Sequence, residues 1–423
     1  MGHHKAAIRQ AAIKRRPRER GQTIVLVAIA LVSLLGMAAL AIDVTTLYVA
    51  RSEMQRAADA AALAGAKAFV DSGVTTDPSA ARQTLAQTMA TSVINSILAE
   101  NNVSGAPPVL VSATPDLTTH PGNPQITVIL QRTNLPTFFA RIWGTRLMTI
   151  TANAVAEAYN PSESQTNTGN YVRVTPKCVK PLLIPNKDPV STLQFVDPTT
   201  GLGIAPSVVG EAITLSQGCT KAGAGTCQPA NLPKNPPDPG NFIAAAIPSP
   251  SPNNLCPACQ GATDFEQSIE CCDFNTYSCG GTTPNAAVDL AIHRSQLRNE
   301  TNNGVQCLIN KPSEDTLDPT NLIAGTGPAR ITSNSGVQSG KLVTTSKSIA
   351  NLPIIDTTAP IPATGQVRVI GFLQVFMDNV AIVGANTQIQ AHILNVAGCG
   401  NSPSAGTPVS GGGTASIPVR LIH

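Results

Sequence analysis

Residues 15–69 read RRPRERGQTIVLVAIALVSLLGMAALAIDVTTLYVARSEMQRAADAAALAGAKAF, a basic cluster that enters an uncharged apolar run and then an alanine-rich pattern without a breaker. From Thr23 to Ile42 there is no charge, and Asp43 ends the run. At about 1.5 Å of rise per residue, such a run crosses the roughly 30 Å hydrocarbon core of a bilayer. A transmembrane helix is therefore expected over 22–42, behind a basic tail over 1–21. Lys5, Arg9, Lys14, Arg15, Arg16, Arg18 and Arg20 precede the run, against Glu19 alone. Cations are enriched on cytoplasmic flanks, so Arg15, Arg16, Arg18 and Arg20 orient the span with the N-terminus inside and the chain from Asp43 onward outside. The same cluster is too short, and too close to a span, to argue for nucleic acid. His3 and His4 are too few for a metal site. Ala39-Leu40-Ala41 has the small-x-small form of a signal-peptidase site, but the run is longer than the roughly 7–15 residues of an ordinary secretory signal, which favours a retained anchor.

Past the span, Leu47, Ala50, Met54, Ala57, Ala61, Ala64 and Ala68 recur at alternating steps of three and four. That spacing makes a heptad seam of mostly small side chains on an amphipathic helix. Alanine favours the helix and lets a neighbouring element approach closely. Such a seam serves the chain's own domain, other subunits, or both.

Several consecutive elements of this stretch carry a family resemblance. Arg20-Gly21-Gln22, the apolar run, Ala41-Ile42-Asp43-Val44, Leu47-Tyr48 and the segment from Gln55 to Ala66 (QRAADAAALAGA) resemble the N-terminal module of TadE/TadG-like proteins. That family belongs to the Flp (Tad) pilus-assembly system, a tight-adherence relative of type IV pili. One position departs from the pilin pattern. Pilins of this kind carry glutamate five residues after the glycine at the cleavage point, and here Leu26 stands five residues beyond Gly21. The resemblance thus implies the TadG-like branch, an envelope-anchored accessory protein rather than a fibre subunit.

The remaining chain divides by composition. Asp77-Pro78 suits a helix start, and Leu85, Met89, Val93 and Ile97 form the expected inward stripe, ended by Asn101-Asn102 or Gly105. Strands are expected at Val109–Ser112, Gln125–Gln131 and Met148–Ala156. Phe138, Phe139 and Trp143 cluster between the last two, where core packing or membrane-surface contact would use them. Residues 43–160 thus read as the family-like helix with a small α/β unit, 161–170 as a polar linker, and 171–423 as a β-rich outer domain. In that domain a helix is expected at Asn285–Arg298 with Val288, Ile292 and Leu297 inward and His293 on its surface. Strands are expected at Val367–Met377 and Thr387–Val396, joined by Asn379–Asn386, with Ile417–Ile422 as a closing edge strand. The fold class is α+β.

All ten cysteines lie in this outer portion: Cys178, Cys219, Cys227, Cys256, Cys259, Cys271, Cys272, Cys279, Cys307 and Cys399. An even count confined to the part expected outside points to disulfides. Cys256-Pro257-Ala258-Cys259 with Cys271, Cys272 and Cys279 also raises zinc or redox chemistry. The flanking SPSPNNLCPACQGATD lacks the strand and helix of a redox site, and the second cysteine set is irregular, so structural disulfides are the favoured reading. Pro239-Gly240-Asn241-Phe242, Gly261-Ala262-Thr263-Asp264-Phe265, Ile269-Glu270-Cys271 and Ser278-Cys279-Gly280 resemble islands of the outer region of other TadG-like proteins. That resemblance implies disulfides too, with Cys279 bonded to Cys271 or Cys272.

Catalytic motifs are missing from the sequence: there is no phosphate-cradling glycine loop with lysine, no G-x-S-x-G and no H-E-x-x-H. The metal-dependent adhesion motif of many longer TadG-like proteins is also not found. An aromatic content of 3% and a net charge of +3 argue against a nucleic-acid surface. The expectation is a non-enzymatic component of a Flp/Tad-type pilus-assembly or secretion system, single-pass in the bacterial inner membrane. It has no cofactor, no metal, no nucleic acid and no identified small-molecule substrate, and its partners are the lipid bilayer and other pilin-like or assembly subunits. The competing reading is a membrane-tethered hydrolase or surface binding protein with a borrowed anchor.

Overall fold

The computed structural model describes residues 19–119, 123–137, 139–140, 144, 147–158, 176, 178–199, 203–217, 234–245, 263–271, 282–283, 294–399 and 417–422. The basic run and the apolar run enter one continuous helix, α1 (Glu19–Ser72). No proline interrupts it, and its hydroxyls are absorbed locally. Ser33, Thr45 and Thr46 each donate to the carbonyl four residues back, at 2.7–2.8 Å, so these three hydroxyls are satisfied within the helix. From Ile24 to Val44 nearly every large side chain is exposed. Among the described residues α1 is the one helix long and apolar enough to cross a membrane.

The second half of α1 packs into the first of two main hydrophobic cores. It meets α2 (Ala80–Glu100) and the antiparallel meander β1 (Val109–Asp116), β2 (Gln125–Pro136) and β3 (Leu147–Ala158). Alanines of the helix and the alanines at 152, 154, 156 and 158 of β3 allow this close approach. Gly65 marks one close point: a Cβ there would lie 3.0 Å from Ile126 and 3.1 Å from Ile94.

Helix α2 differs in detail from the expectation. Its N-cap is Ser79, and Asp77 instead accepts the Ser79 N–H and pairs with Arg82. The buried face is Arg82, Leu85, Ala86, Ala90, Ile94 and Leu98, one residue off the expected stripe, and Val93 is exposed. Small alanines are the cause. They carry little hydrophobic signal in sequence, yet they are the residues that fit against α1.

The C-terminal part is built on a mixed sheet. Its strands are β4 (Leu182–Pro185), β5 (Ala212–Gln217) and β6 (Asn241–Ala244), followed by helix α3 (Asp264–Glu270), β7 (Thr282–Thr283) and helix α4 (Arg294–Leu308). Next come β8 (Thr316–Asp318), helix α5 (Thr320–Ala324), β9 (Arg330–Thr332), β10 (Leu342–Val343), β11 (Ile349–Ile355), β12 (Val367–Val383) and β13 (Asn386–Gly398). The order is β11-β4-β6-β5-β13-β12-β7, and β11 also pairs with β12. That extra ladder closes six strands into a barrel and removes their open edges. Its core includes Phe195, Phe242, Phe372 and the β-branched residues of the long β12–β13 hairpin. Gly371 is obligatory there, since a Cβ would sit 2.5 Å from the Ala397 carbonyl and 2.8 Å from Val196. A small sheet, β10-β9-β8, covers a third cluster on the barrel wall with Ile331, Phe376 and Leu394.

Two expectations in this part are corrected. The segment from Asn379 to Asn386 is mostly strand, because β12 continues to Val383 across a bulge at Met377/Asn379. Within the Asn285–Arg298 expectation, residues 285–293, which hold Val288, Ile292 and His293, lie outside the described residues. Helix α4 begins at Arg294, keeps Leu297 buried and runs on to Leu308. Its polar NETNNG stretch has weak helix propensity, but Gly304 lets it press on α3, with a Cβ position only 2.9 Å from Ile269.

The final strand, β14 (Val419–Ile422), leaves the barrel and pairs antiparallel with β3 as the fourth strand of the first sheet. Arg420 Nε donates to Glu157 Oε1 there. Thr76, between α1 and α2, bonds both ways to the β13 backbone: it accepts the Val396 N–H at 3.1 Å and its hydroxyl lies 3.3 Å from the Val396 carbonyl.

The tight seam yields a prediction. Ala61→Leu in full-length, detergent-solubilised protein is expected to destabilise the unit built on α1 by about 1–3 kcal/mol through overpacking. Thermal unfolding followed by circular dichroism checks this, and an unchanged melting temperature would contradict the packing described.

Candidate functional site

The residues that distinguish this chain lie along α1. Ala50, Met54, Ala57, Ala61 and Ala68 of the seam are buried, and Leu47 and Ala64 are half-buried. They face α2, β2, β3 and β14 of the same chain. The opposite face, with Val44, Tyr48 and Val49, is exposed. Of the orienting arginines, Arg20 falls in the first turns of α1, and Arg15, Arg16 and Arg18 lie outside the described residues.

The buried stripe extends backward into the apolar run through Asp43 and Ala39, in two successive steps of four. Asp43 is the first charge after the span and is buried. Its Oδ2 accepts the backbone N–H of Phe139 at 2.9 Å and of Ala140 at 2.6 Å. A buried carboxylate is costly unless donors replace its water, and the β2–β3 connection supplies them. The heptad seam starts at Leu47, and one step of four residues back from it reaches Asp43. Phe139 of the aromatic cluster is half-buried beside Asp43, and Phe138 and Trp143 lie outside the described residues.

Four cysteines are described. Cys271 and Cys399 are buried, Cys178 and Cys307 half-buried, and none is a free thiol. Lys180 Nζ donates to the Cys271 carbonyl, which brings the Cys178 segment beside the end of α3. Cys219, Cys227, Cys256, Cys259, Cys272 and Cys279 lie outside the described residues. Among the described residues no group of three or more His, Cys, Asp and Glu side chains could hold a metal ion.

Three polar groupings elsewhere carry charge. His392 Nδ1 lies 2.7 Å from Asp378 Oδ2 across the β12–β13 ladder. Such a pair can orient an imidazole, but no described serine, threonine or cysteine hydrogen-bonds to the ring. Arg82 donates to the Ser72 carbonyl at 3.2 Å. Burial lowers the pKa of its guanidinium, and Asp77 opposes that shift. Glu211 immediately precedes β5 near Asp188, and burial, then repulsion from Asp188, raises its carboxyl above the ordinary range.

The sign of that last effect gives a test. A carboxyl whose folded-state pKa is raised costs the folded state stability once pH climbs above the ordinary glutamate range, and costs nothing below it. Glu211→Gln is therefore expected to stabilise the protein at neutral pH and to have little effect in mild acid. Denaturant midpoints at both pH values decide it, and an equal gain at both would contradict the assigned cause.

No curated protein and no solved structure matches the chain. A family model does match, and only over the stretch that forms most of α1. Residues 21–68, which join the exposed apolar half of the helix to its buried alanine seam, match the Tad family, described as "Putative Flp pilus-assembly TadE/G-like".

Proposed function

We propose that this chain is a non-enzymatic, envelope-anchored component of a Flp/Tad-type pilus-assembly or secretion system. The observation that carries the reading is the coincidence of the family match with a single structural device. Residues 21–68 are the part of α1 that begins as an exposed apolar cylinder and ends as the packing spine of a folded unit.

In this reading Thr23–Ile42 spans the inner membrane once, with Arg15, Arg16, Arg18 and Arg20 holding the N-terminus in the cytoplasm. The α/β unit and the barrel stand outside. The seam is engaged by the chain's own sheet, so contact with pilin-like or assembly subunits falls to the opposite face of α1 around Val44, Tyr48 and Val49. Leu26, in place of a glutamate five residues after Gly21, leaves the chain as an uncut anchor. The outer cysteines are oxidised to structural disulfides, a reading supported by the lack of a free thiol among the four described. Each such bond can contribute on the order of 2–4 kcal/mol.

Deleting the gene in its host tests the function directly. Surface pili or secretion by the system should be lost, and a photo-crosslinker at Tyr48 should capture a subunit of the same system. Normal pilus assembly in the deletion strain would refute the role. On spheroplasts, added protease should remove the cysteine-containing portion and spare the N-terminal tail. Non-reducing peptide mapping should find disulfide-linked peptides covering Cys178, Cys271, Cys307 and Cys399. N-terminal sequencing of membrane-extracted protein should find no species starting at Gln22.

A further inference from the structure

Three strands of the first sheet lie within residues 109–158, whereas the fourth, β14, comes from beyond the barrel. Val419, Arg420, Leu421 and Ile422 stand opposite Ala158, Glu157, Ala156 and Val155 of β3. Ala156 and Ala158 are small, and Val419 and Leu421 pack with them on the first core. Just before the strand, Ile417 is buried in the same core at 1% exposure. Glu157 is 4% exposed and accepts from Arg420 Nε. A carboxylate at that depth is costly without its cation. The β3 edge is thus a groove with a recognisable order: small residues facing aliphatic ones, an anion facing a cation, and a seat for one isoleucine.

The tether to this strand is longer than its own route requires. Ala397 and Ile417 both belong to the first core, and residues 400–416 lie between them in the chain. A stretch of that length can span about 60 Å at most. The buried part of α1, from Ala50 to Val70, is about 30 Å long, and a folded unit of about 100 residues is roughly 35 Å across. The same strand can therefore reach β3 of an adjacent copy. Exchange would keep every contact the strand makes, so its cost is little more than a difference in loop closure. Copies anchored through Thr23–Ile42 carry their β3 edges at one height and share a plane, which favours the encounter. That last point rests on the span; the groove and the tether do not.

We propose that the β3 edge is a strand-acceptor site and that β14 is exchanged reciprocally between two copies of this chain, each completing the other's first sheet. Reciprocal exchange is the closed arrangement, which leaves no acceptor edge open. The occupant is a second copy because its β14 carries the side-chain order that the groove already holds. The chain thereby gains a means of pairing through its folded part, separate from the assembly role proposed above.

Charge reversal distinguishes exchange from pairing within one chain. One full-length chain carries Glu157→Arg and another carries Arg420→Glu, each with its own affinity tag, and the two are produced together and extracted in detergent. Produced singly, either variant sets like charges across the ladder whether its strand stays or is exchanged. Produced together, only exchange between the two chains sets opposite charges at both positions. The expected result is a one-to-one complex of the two variants, absent when either is produced with a differently tagged copy of itself. Both substitutions in one chain restore opposite charges, and that chain should pair with itself as the unaltered chain does. Variants that associate no better together than each with itself overturn the exchange. So does an unaltered chain that stays monomeric at every protein-to-detergent ratio, and so does a complex that survives deletion of residues 417–423. Should the single variants fail to fold, a fluorescent peptide of residues 416–423 is titrated into the chain truncated after Ala415. Saturable binding that Arg420→Glu in the peptide weakens supports the acceptor site, and no binding overturns it. None of these outcomes bears on the pilus-assembly role, which the deletion strain tests by itself.

Discussion

The alanine seam of α1 is the contact on which the arrangement depends. One helix has to serve two solvents, and the change between them occurs within about two turns around Asp43 and Leu47. Above that point, large side chains would have nothing of the protein to pack against. Below it, the helix must come close enough to a twisted sheet to exclude water along several turns. Alanine meets that second requirement because it keeps helix propensity high while removing bulk. The facing strand answers in kind with the alanines at 152, 154 and 156. The interface is tight, and tight interfaces transmit displacement rather than absorb it. A push or pull on the apolar half of α1 is therefore delivered to the sheet as a rigid-body movement.

The barrel is joined to this unit by few but well-placed contacts. Thr76 satisfies both backbone groups of Val396, a residue whose strand is central to the barrel. Ala397, next in the same strand, belongs to the first core rather than the second. Closure of the barrel through the β11–β12 ladder leaves its six ring strands without a free edge among the described residues, while the first sheet keeps two, β1 and β14. Edge strands invite pairing, and short ones limit it. The four residues of β14 and the bulge in β1 between Leu110 and Ser112 serve that end.

What could be read from the sequence followed how local its physical cause was. The span and the seam depend on charge and periodicity within one helix, and both are plain in residues 15–69. The strands β2, β3 and β12 were legible in position, though each extends further than alternation suggested, because neighbouring strands supply ladder partners that polar residues such as Asn379 alone would not attract. The buried face of α2 lies one position away from its stripe of larger residues, because Ala86 and Ala90 do the packing. The continuation of α4 through Asn302, Asn303 and Gly304 could not be foreseen, since its reason is the close approach of Ile269. Nor could barrel closure, which is a matter of pairing between distant segments. The role of Asp43 was hidden for the same reason: its partners are backbone amides 96 and 97 residues away, and an amide leaves no mark in a sequence.

The position of β14 has a consequence for the order in which the molecule is made. Arg420 and Glu157, which meet across its ladder with β3, are separated by 263 residues. The first sheet therefore lacks its fourth strand until residues 419–422 have been made, although its other three strands precede the whole barrel in the chain. Until then β3 presents an unpaired edge, a state open to wrong partners during biogenesis. Completion of this sheet thus waits for residues far along the chain from its other strands, and a chain truncated between β3 and Val419 leaves β3 with its edge open beside α1.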